Sequence, residues 1–281
     1  MRESENEIER QKQEQEQKQR SSATCPAVVC HCTMIDGQKN VLCTDETKPT
    51  DRVPEDVPSD TVILDLNGNQ LEIIRENDFA GLDFLINLNI SYSKINSIED
   101  KAFSHTKNLE FLDMSNNELT MVNLQQLRNL RELDLSHNSF KVLPTLEEES
   151  GVYLPLVKLD ISHNPFTSIQ ALSLPDTIKH LDISCYKSRT FAADSLDNQV
   201  DLETLIIRGH NCGRKLEVIE RGAFQKSNKL RTLDLSGNHI IQIPGNTTVL
   251  LIHGKTIDSL DRRFSDGRRF KTREYEHNYF T

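Results

Sequence analysis

The chain has 281 residues and a formal net charge of −10 at pH 7. This negative charge argues against a nucleic-acid groove, because attraction to phosphates requires Lys and Arg gathered on one face. A cationic partner fits the charge better. No apolar run approaches the roughly 18 residues of a membrane span, the longest candidate being the short stretch 249–252.

The N-terminal segment is built almost entirely from Glu, Gln, Lys and Arg. Such a segment cannot bury enough apolar surface to offset the entropy lost on ordering its backbone, so residues 1–24 are predicted to be a disordered tail. The start at Met1 has no apolar stretch and does not have the form of a secretory signal peptide. Taken literally, this start predicts a cytoplasmic protein.

Four Cys residues follow within a short stretch, at Cys25, Cys30, Cys32 and Cys43. Two interpretations are open: two disulfides that close the exposed end of a repeat array, or a zinc site. A Cys-x-Cys pair with an intervening His is an uncommon zinc spacing. Disulfides would instead require an oxidising compartment, which conflicts with the cytoplasmic reading of the start.

A motif then recurs with the pattern apolar, any, apolar, any, any, Asn, any, apolar, as in LDLSHNSF at residues 133–140. Its first Leu stands at Leu64, Leu88, Leu112, Leu133, Leu159, Leu181, Leu205 and Leu233. The spacing matches the roughly 20–29 residues of a leucine-rich repeat. The pattern predicts an α/β solenoid: a right-handed leucine-rich repeat horseshoe with a parallel concave sheet of about 8–9 strands and a mostly irregular convex side.

The recurrent Asn position of the motif is expected to support the turn after each strand. An inward Asn would bond backbone groups that a buried loop leaves unpaired. Ser93 can substitute in part, whereas Tyr186 and His210 cannot do so in the same geometry. The Asn residues at this position are Asn69, Asn117, Asn138, Asn164 and Asn238.

The cysteine cluster followed by VPEDVPSDT at residues 53–61 and LDLNGNQL at residues 64–71 resembles the N-terminal cap and first repeat of extracellular leucine-rich repeat proteins. Toll-type receptors, Slit and the small matrix proteoglycans share this arrangement. The resemblance implies disulfides Cys25–Cys32 and Cys30–Cys43. It also implies a cap over residues 25–56 that shields the end of a solenoid over residues 57–260.

The same resemblance implies an extracellular location, as a secreted protein or a receptor ectodomain. Because a signal peptide, a C-terminal cysteine cap and a membrane span are not seen in the sequence, the chain is expected to be a fragment or an incomplete gene model. The alternative is an intracellular scaffold with reduced or zinc-bound cysteines.

The remaining cysteines lie where the motif fails. Cys185 is in the turn after the sixth anchor, and Cys212 is inside a four-residue insertion around residues 209–214. Neighbouring coils stack about 5 Å apart, so turns at one edge come within disulfide reach. We infer a Cys185–Cys212 bond in place of the lost Asn bonds, with two free thiols as the alternative.

The other irregular segments are predicted to be solvent-exposed. Residues 147–151, EEESG, form an acidic bulge on the convex or descending side. Residues 250–260 have apolar positions for an imperfect ninth coil. Residues 261–281 mix basic and aromatic residues, but acidic residues dilute the charge, so a disordered tail is predicted there.

The outward positions of the strands are the candidate binding surface. Alternate residues of a strand face opposite sides, so the residue after each anchor points onto the concave face: Asp65, Asn89, Asp113, Asp134, Asp160, Asp182, Ile206 and Asp234. This column is either a face for a basic protein or peptide, or ordinary consensus. Departures from consensus add candidates at Phe111, His137, His163, His180, Ile206 and Arg208.

Two sequons, at Asn89 and Asn246, are glycosylation acceptors if the chain is secreted. A nucleophile elbow, a phosphate loop and a zincin helix are all missing from the sequence, so no enzyme activity, cofactor or metal is predicted. The sequence therefore predicts a non-catalytic module that binds a protein or peptide through its concave face. It names neither the partner nor the oligomeric state.

Overall fold

A computed structural model describes Cys25 and residues 30–44, 47–148, 150–168, 173–224 and 226–241. These residues belong to two compact units, the first within 1–130 and 147–154 and the second within 131–146 and 155–281. The tails predicted at 1–24 and 261–281, the coil at 250–260 and the sequon at Asn246 lie outside the described residues. Within the described residues, no helix has the length and apolar character needed to cross a membrane.

The first unit begins with a disulfide-bonded hairpin. Strands β1 (His31–Ile35) and β2 (Gln38–Leu42) pair antiparallel. The turn uses Asp36 and Gly37 at φ 51° and 77°, the left-handed conformation that a two-residue hairpin loop favours. Disulfides Cys25–Cys32 and Cys30–Cys43 tie this hairpin. With all four sulfur atoms bonded to sulfur, none is a thiolate available to zinc.

The repeats of the first unit extend this hairpin as a parallel sheet. Strands β3 (Thr61–Asp65), β5 (Asn87–Asn89) and β7 (Phe111–Asp113) follow β2 in that order. The anchors Leu64, Leu88 and Leu112 are aligned partners in this register. On the opposite side of the coils, β4 (Ile73–Ile74) pairs in parallel with β6 (Ser97–Ile98).

The second unit repeats the same construction. Its sheet runs β8 (Glu132–Asp134), β9 (Lys158–Asp160), β10 (His180–Asp182), β12 (Thr204–Ile206) and β14 (Thr232–Asp234). A second pair, β11 (Thr190–Phe191) and β13 (Val218–Ile219), lies on the other side. Each predicted anchor is in a repeat strand, which confirms a solenoid with one parallel strand per repeat. Between strands, the described residues form turns and bends.

The inside of each coil is apolar. The anchors Leu64, Leu88 and Leu205 are fully buried. Phe79 and Phe103 stack with ring centroids 6.0 Å apart in the first unit, and Phe191 and Phe224 stack at 5.5 Å in the second. These rings pack among the apolar residues inside the coils.

The inward Asn side chains bond the turns. In the first unit, Asn117 Nδ2 donates to the carbonyls of Ile90 and Met114 at 2.9 and 3.0 Å. Its Oδ1 accepts the backbone N–H groups of Ser93 and Ile95 at 3.0 and 2.9 Å. One amide therefore satisfies four backbone groups in two neighbouring repeats, a role that needs both a donor and an acceptor.

Candidate functional site

The outward carboxylates first serve the fold. In the second unit, Oδ1 of each Asp in the column accepts the backbone N–H two residues further on, at 2.8–2.9 Å. In the first unit, Asp65 and Asp113 make the same bond at 3.0 and 2.9 Å. Asn89 makes it as well, at 3.0 Å. Closing the turn therefore needs an oxygen acceptor and does not need a charge.

Two carboxylates of the second unit have raised pKa values and form no ion pair within 4.0 Å among the described residues. Asp160 and Asp182 are aligned partners on adjacent strands β9 and β10. Burial raises the pKa of Asp160, and the neighbouring Asp182 raises it further, against the hydrogen bonds from Ser162. Burial likewise raises the pKa of Asp182, although the bonds from Ser184 and the charge of Arg208 oppose it.

Asp234 on β14 has the opposite electrostatic setting. Arg208 Nε donates to Asp234 Oδ2 at 2.7 Å. Burial by itself would raise the pKa of Asp234, but the Ser236 backbone N–H and the Arg208 guanidinium outweigh it and lower this pKa. The same hydrogen bond raises the pKa of Arg208. Along the column, the carboxylates therefore change from raised pKa values at Asp160 and Asp182 to a lowered pKa in a direct ion pair at Asp234.

The first unit has one column carboxylate with a raised pKa, at Asp65. Burial raises the pKa of Asp65, and the charge of Asp113 adds to the effect. Phe111, on β7, is half-buried on the same outward side. The Asn89 Oδ1 atom also accepts the Ser91 hydroxyl at 2.7 Å, so both polar members of this sequon already bond each other.

The other departures from consensus are divided between the strands and the turns. His180 and Ile206 lie on β10 and β12, with His180 exposed and Ile206 half-buried. His137 and His163 lie beyond the strands, in turns with φ of 53° and 54°. These two residues therefore extend the candidate surface to the edge of the sheet rather than to its outward face.

At that edge, three side chains form a row. The His137 and His163 rings stack with centroids 3.9 Å apart and planes 12° from parallel. His163 Nε2 lies 3.6 Å from Sγ of Cys185, which has φ 61° in the equivalent turn. Burial lowers the pKa of His163, and the adjacent His137 lowers it further. The row therefore favours the neutral form of His163 next to the sulfur atom of Cys185.

The row ends at the predicted insertion. Cys185 and Cys212 form a disulfide in the structure, with Cα atoms 5.1 Å apart. This bond fixes the 209–214 loop beside the turn after β10. Lys187, Asn211 and Arg214 are exposed around it. The sequence did not single out these three residues as binding candidates, although Asn211 and Arg214 lie in the predicted insertion.

The two electrostatic settings predict opposite effects of removing a charge. Asp160→Asn and Asp182→Asn keep the turn acceptor, so each is expected to raise the free energy of unfolding at pH 7 by roughly 0.5–1 kcal/mol. Asp234→Asn loses the Arg208 ion pair and is expected to lower it by about 0.5 kcal/mol, since the pair is partly exposed. Urea denaturation of the three variants at pH 7 checks both signs.

The pH dependence of the free energy of unfolding is the control for these variants. A carboxylate whose pKa is raised on folding weakens the fold as pH rises from its unfolded value of 3.8 through its folded value. The advantage of Asp160→Asn should therefore disappear on acidification, as the parent carboxyl becomes protonated. The Asp234 contribution is present above pH 3.8 and is lost as pH falls through its lowered pKa. A destabilised Asp160→Asn variant at pH 7 would contradict this account.

This chain is similar to known leucine-rich repeat proteins. Family models described as leucine-rich repeat match residues 84–140 and 226–242. Tsukushi of Gallus gallus is 32% identical over 196 residues, which cover 66% of this chain and 50% of that protein. Biglycan of Sus scrofa is 31% identical, covering 54% of this chain and 53% of that protein.

Receptors of the Toll-like group are similar over shorter or more divergent stretches. Toll-like receptor 10 of Bos taurus is 38% identical over 111 residues, covering 40% of this chain and 14% of that protein. The crystal structure of the TLR13–ssRNA13 complex superposes with a TM-score of 0.60 at 23% identity, covering 71% of this chain and 29% of that one. That likeness shows the fold. The chain spans about half the length of Tsukushi and biglycan.

Proposed function

We propose, from the premise that this chain is a leucine-rich repeat protein with an N-terminal cysteine cap, that it is an extracellular, non-catalytic recognition module. Its ligand is a cationic protein or peptide, and the binding surface is the outward face of the repeat strands. Disulfides between Cys25 and Cys32, Cys30 and Cys43, and Cys185 and Cys212 support an oxidising compartment over the cytoplasm.

The observation that carries the proposal is the Asp160–Asp182 pair. The two carboxylates lie on adjacent strands and are partly buried, and burial raises the pKa of each. Neither forms an ion pair within 4.0 Å in the part of the chain that the structure describes. Such charges interact strongly with an incoming cation because they are only partly solvated. The turn requires only an acceptor, as Asn89 shows, so the negative charge is available for recognition.

Similar proteins support recognition in general without naming the ligand. Toll-like receptor 10 is by its name a receptor. A glycan at Asn89 would restrict access to the strand face of the first unit. The second unit, with Asp160 and Asp182, is therefore the surface that we propose for the ligand.

The test uses charge removal that leaves the turns intact. Asp160→Asn combined with Asp182→Asn is expected to weaken binding of a fluorescein-labelled hexalysine peptide by about fivefold to tenfold at low ionic strength. Fluorescence anisotropy measures this affinity. The peptide is a probe of the surface and carries no claim about the natural ligand sequence.

The matched control removes two negative charges elsewhere in the same unit. Asp197 and Asp201 form ion pairs with Lys226 and Lys229 at 2.6 and 2.7 Å. Asp197→Asn combined with Asp201→Asn changes the net charge equally and should leave affinity near that of the parent. Equal weakening by both double variants would show that only the overall charge matters, and the proposed surface would be abandoned.

A further inference from the structure

A groove lies along the turn edge of the second unit, apart from the outward strand face. We call it the edge groove and define it by Asn138, His163, Cys185, Lys187, Asn211 and Arg214. It follows successive turns, from the repeat of Asn138 to the repeat of Arg214. Gly213 lines it as well, and a Cβ atom added there would meet nothing within 4 Å.

The groove exists because the repeat pattern fails here. Tyr186 replaces the turn Asn and is buried, with its hydroxyl donating to the Thr190 carbonyl at 3.2 Å. The inserted loop turns back on itself, with the Cys212 N–H donating to the Gly209 carbonyl at 3.4 Å. The Cys185–Cys212 disulfide holds this loop outward. The walls of the groove are therefore covalently tied.

Two cationic residues, Lys187 and Arg214, line it and are in contact through the Lys187 backbone. The Lys187 backbone N–H donates to the Phe166 carbonyl at 2.6 Å. Arg214 Nη1 donates to the Lys187 carbonyl at 3.4 Å. The Lys187 backbone is thus held on both sides, and the Arg214 guanidinium is placed against it. Because the Arg214 guanidinium is already held in this way, it loses less conformational entropy when it binds an anion.

These two charges differ from those of six other cations in the described part of the unit. Lys158, Lys179, Arg189, Arg208, Lys226 and Lys229 each have a carboxylate oxygen within 4.0 Å. In the part of the chain that the structure describes, neither Lys187 nor Arg214 has such a partner. Uncompensated neighbouring like charges attract an anion that can bridge them.

We propose that the edge groove binds an extended acidic segment of a protein partner, with its carboxylates at Lys187 and Arg214. Three repeat steps of about 5 Å give the groove about 15 Å, the length of four or five extended residues. Sulfated glycans favour denser clusters of Lys and Arg.

The inference concerns a surface and a ligand charge different from those of the proposed function, so the two can fail independently. The experiment titrates the full disulfide-bonded chain with a pentaglutamate peptide blocked at both termini. Backbone amide shifts in two-dimensional NMR spectra are expected to move saturably at Lys187, Asn211 and Gly213. Lys187→Gln combined with Arg214→Gln is expected to weaken this binding at least about tenfold.

The control, Lys226→Gln combined with Lys229→Gln, removes the same charge and should bind within about twofold of the parent. Thermal unfolding and intact mass check that each variant is folded and fully oxidised. The proposal is overturned if the peptide causes no saturable shifts, or if the control loses as much affinity. It is also overturned if a heparin-derived tetrasaccharide binds the same residues more tightly than pentaglutamate.

Discussion

Replacing Asn164 with Ala is expected to lower the free energy of unfolding of the second unit by about 3 kcal/mol. Asn164 is 2% exposed. Its Nδ2 donates to the carbonyls of Leu135 and Ile161 at 2.8 and 3.2 Å. Its Oδ1 accepts the Phe140 N–H at 3.0 Å. Ala would leave these backbone groups without their partner.

Two further variants make this result specific. Ser139→Ala changes an exposed neighbouring position and should alter the free energy of unfolding by less than about 0.5 kcal/mol. Asn164→Ser should lie between Ala and the parent, because Ser93 donates to the Leu66 and Ser91 carbonyls at the equivalent position. Urea denaturation followed by circular dichroism measures all three. A loss below about 1 kcal/mol for Asn164→Ala would mean that the turn reorganises around the missing amide.

The Asn positions illustrate what could be predicted from the sequence. Their role depends on residues close in sequence and on the neighbouring repeat, and both are specified by the period. The eight anchors were predictable for the same reason. The Cys185–Cys212 pairing also followed from repeat spacing, since Cys185 and Cys212 fall in turns at the same edge of adjacent coils.

The electrostatics of the column were only half predictable. Sequence alternation placed Asp160 and Asp182 on the outward face, but it did not reveal that one oxygen of each closes a turn. Because of this bond, substitution by Lys would remove the turn acceptor together with the negative charge. Substitution by Asn removes the charge alone. The Arg208–Asp234 pair was likewise unseen, because it depends on the direction of a long side chain.

The edge groove could not be predicted, for a different physical reason. It depends on the path of the 209–214 loop and on one contact between Arg214 and the Lys187 carbonyl. An insertion predicts an irregular loop, but the repeat period does not specify the path of that loop. Departures from the motif therefore located the region, while the chemistry of Lys187 and Arg214 required coordinates.

Replacing both Cys185 and Cys212 with Ser is expected to lower the free energy of unfolding by about 3.5 kcal/mol. The bond closes a loop with a sequence separation of 27, and reopening it returns conformational entropy to the unfolded chain. The Cys25–Cys32 bond has a separation of 7, so its removal should cost about 1 kcal/mol less. Comparing the two double variants by denaturant unfolding tests the entropic origin of the difference.

The same Cys185/Cys212 variant links stability to recognition. Without the bond, the 209–214 loop is no longer held against the turn of Cys185, and Arg214 loses its fixed position near the Lys187 carbonyl. Pentaglutamate binding should therefore weaken in this variant even under conditions where it is fully folded, whereas the Cys25→Ser, Cys32→Ser variant should bind like the parent. Unchanged affinity in the folded Cys185/Cys212 variant would show that the loop holds its shape through hydrogen bonds alone.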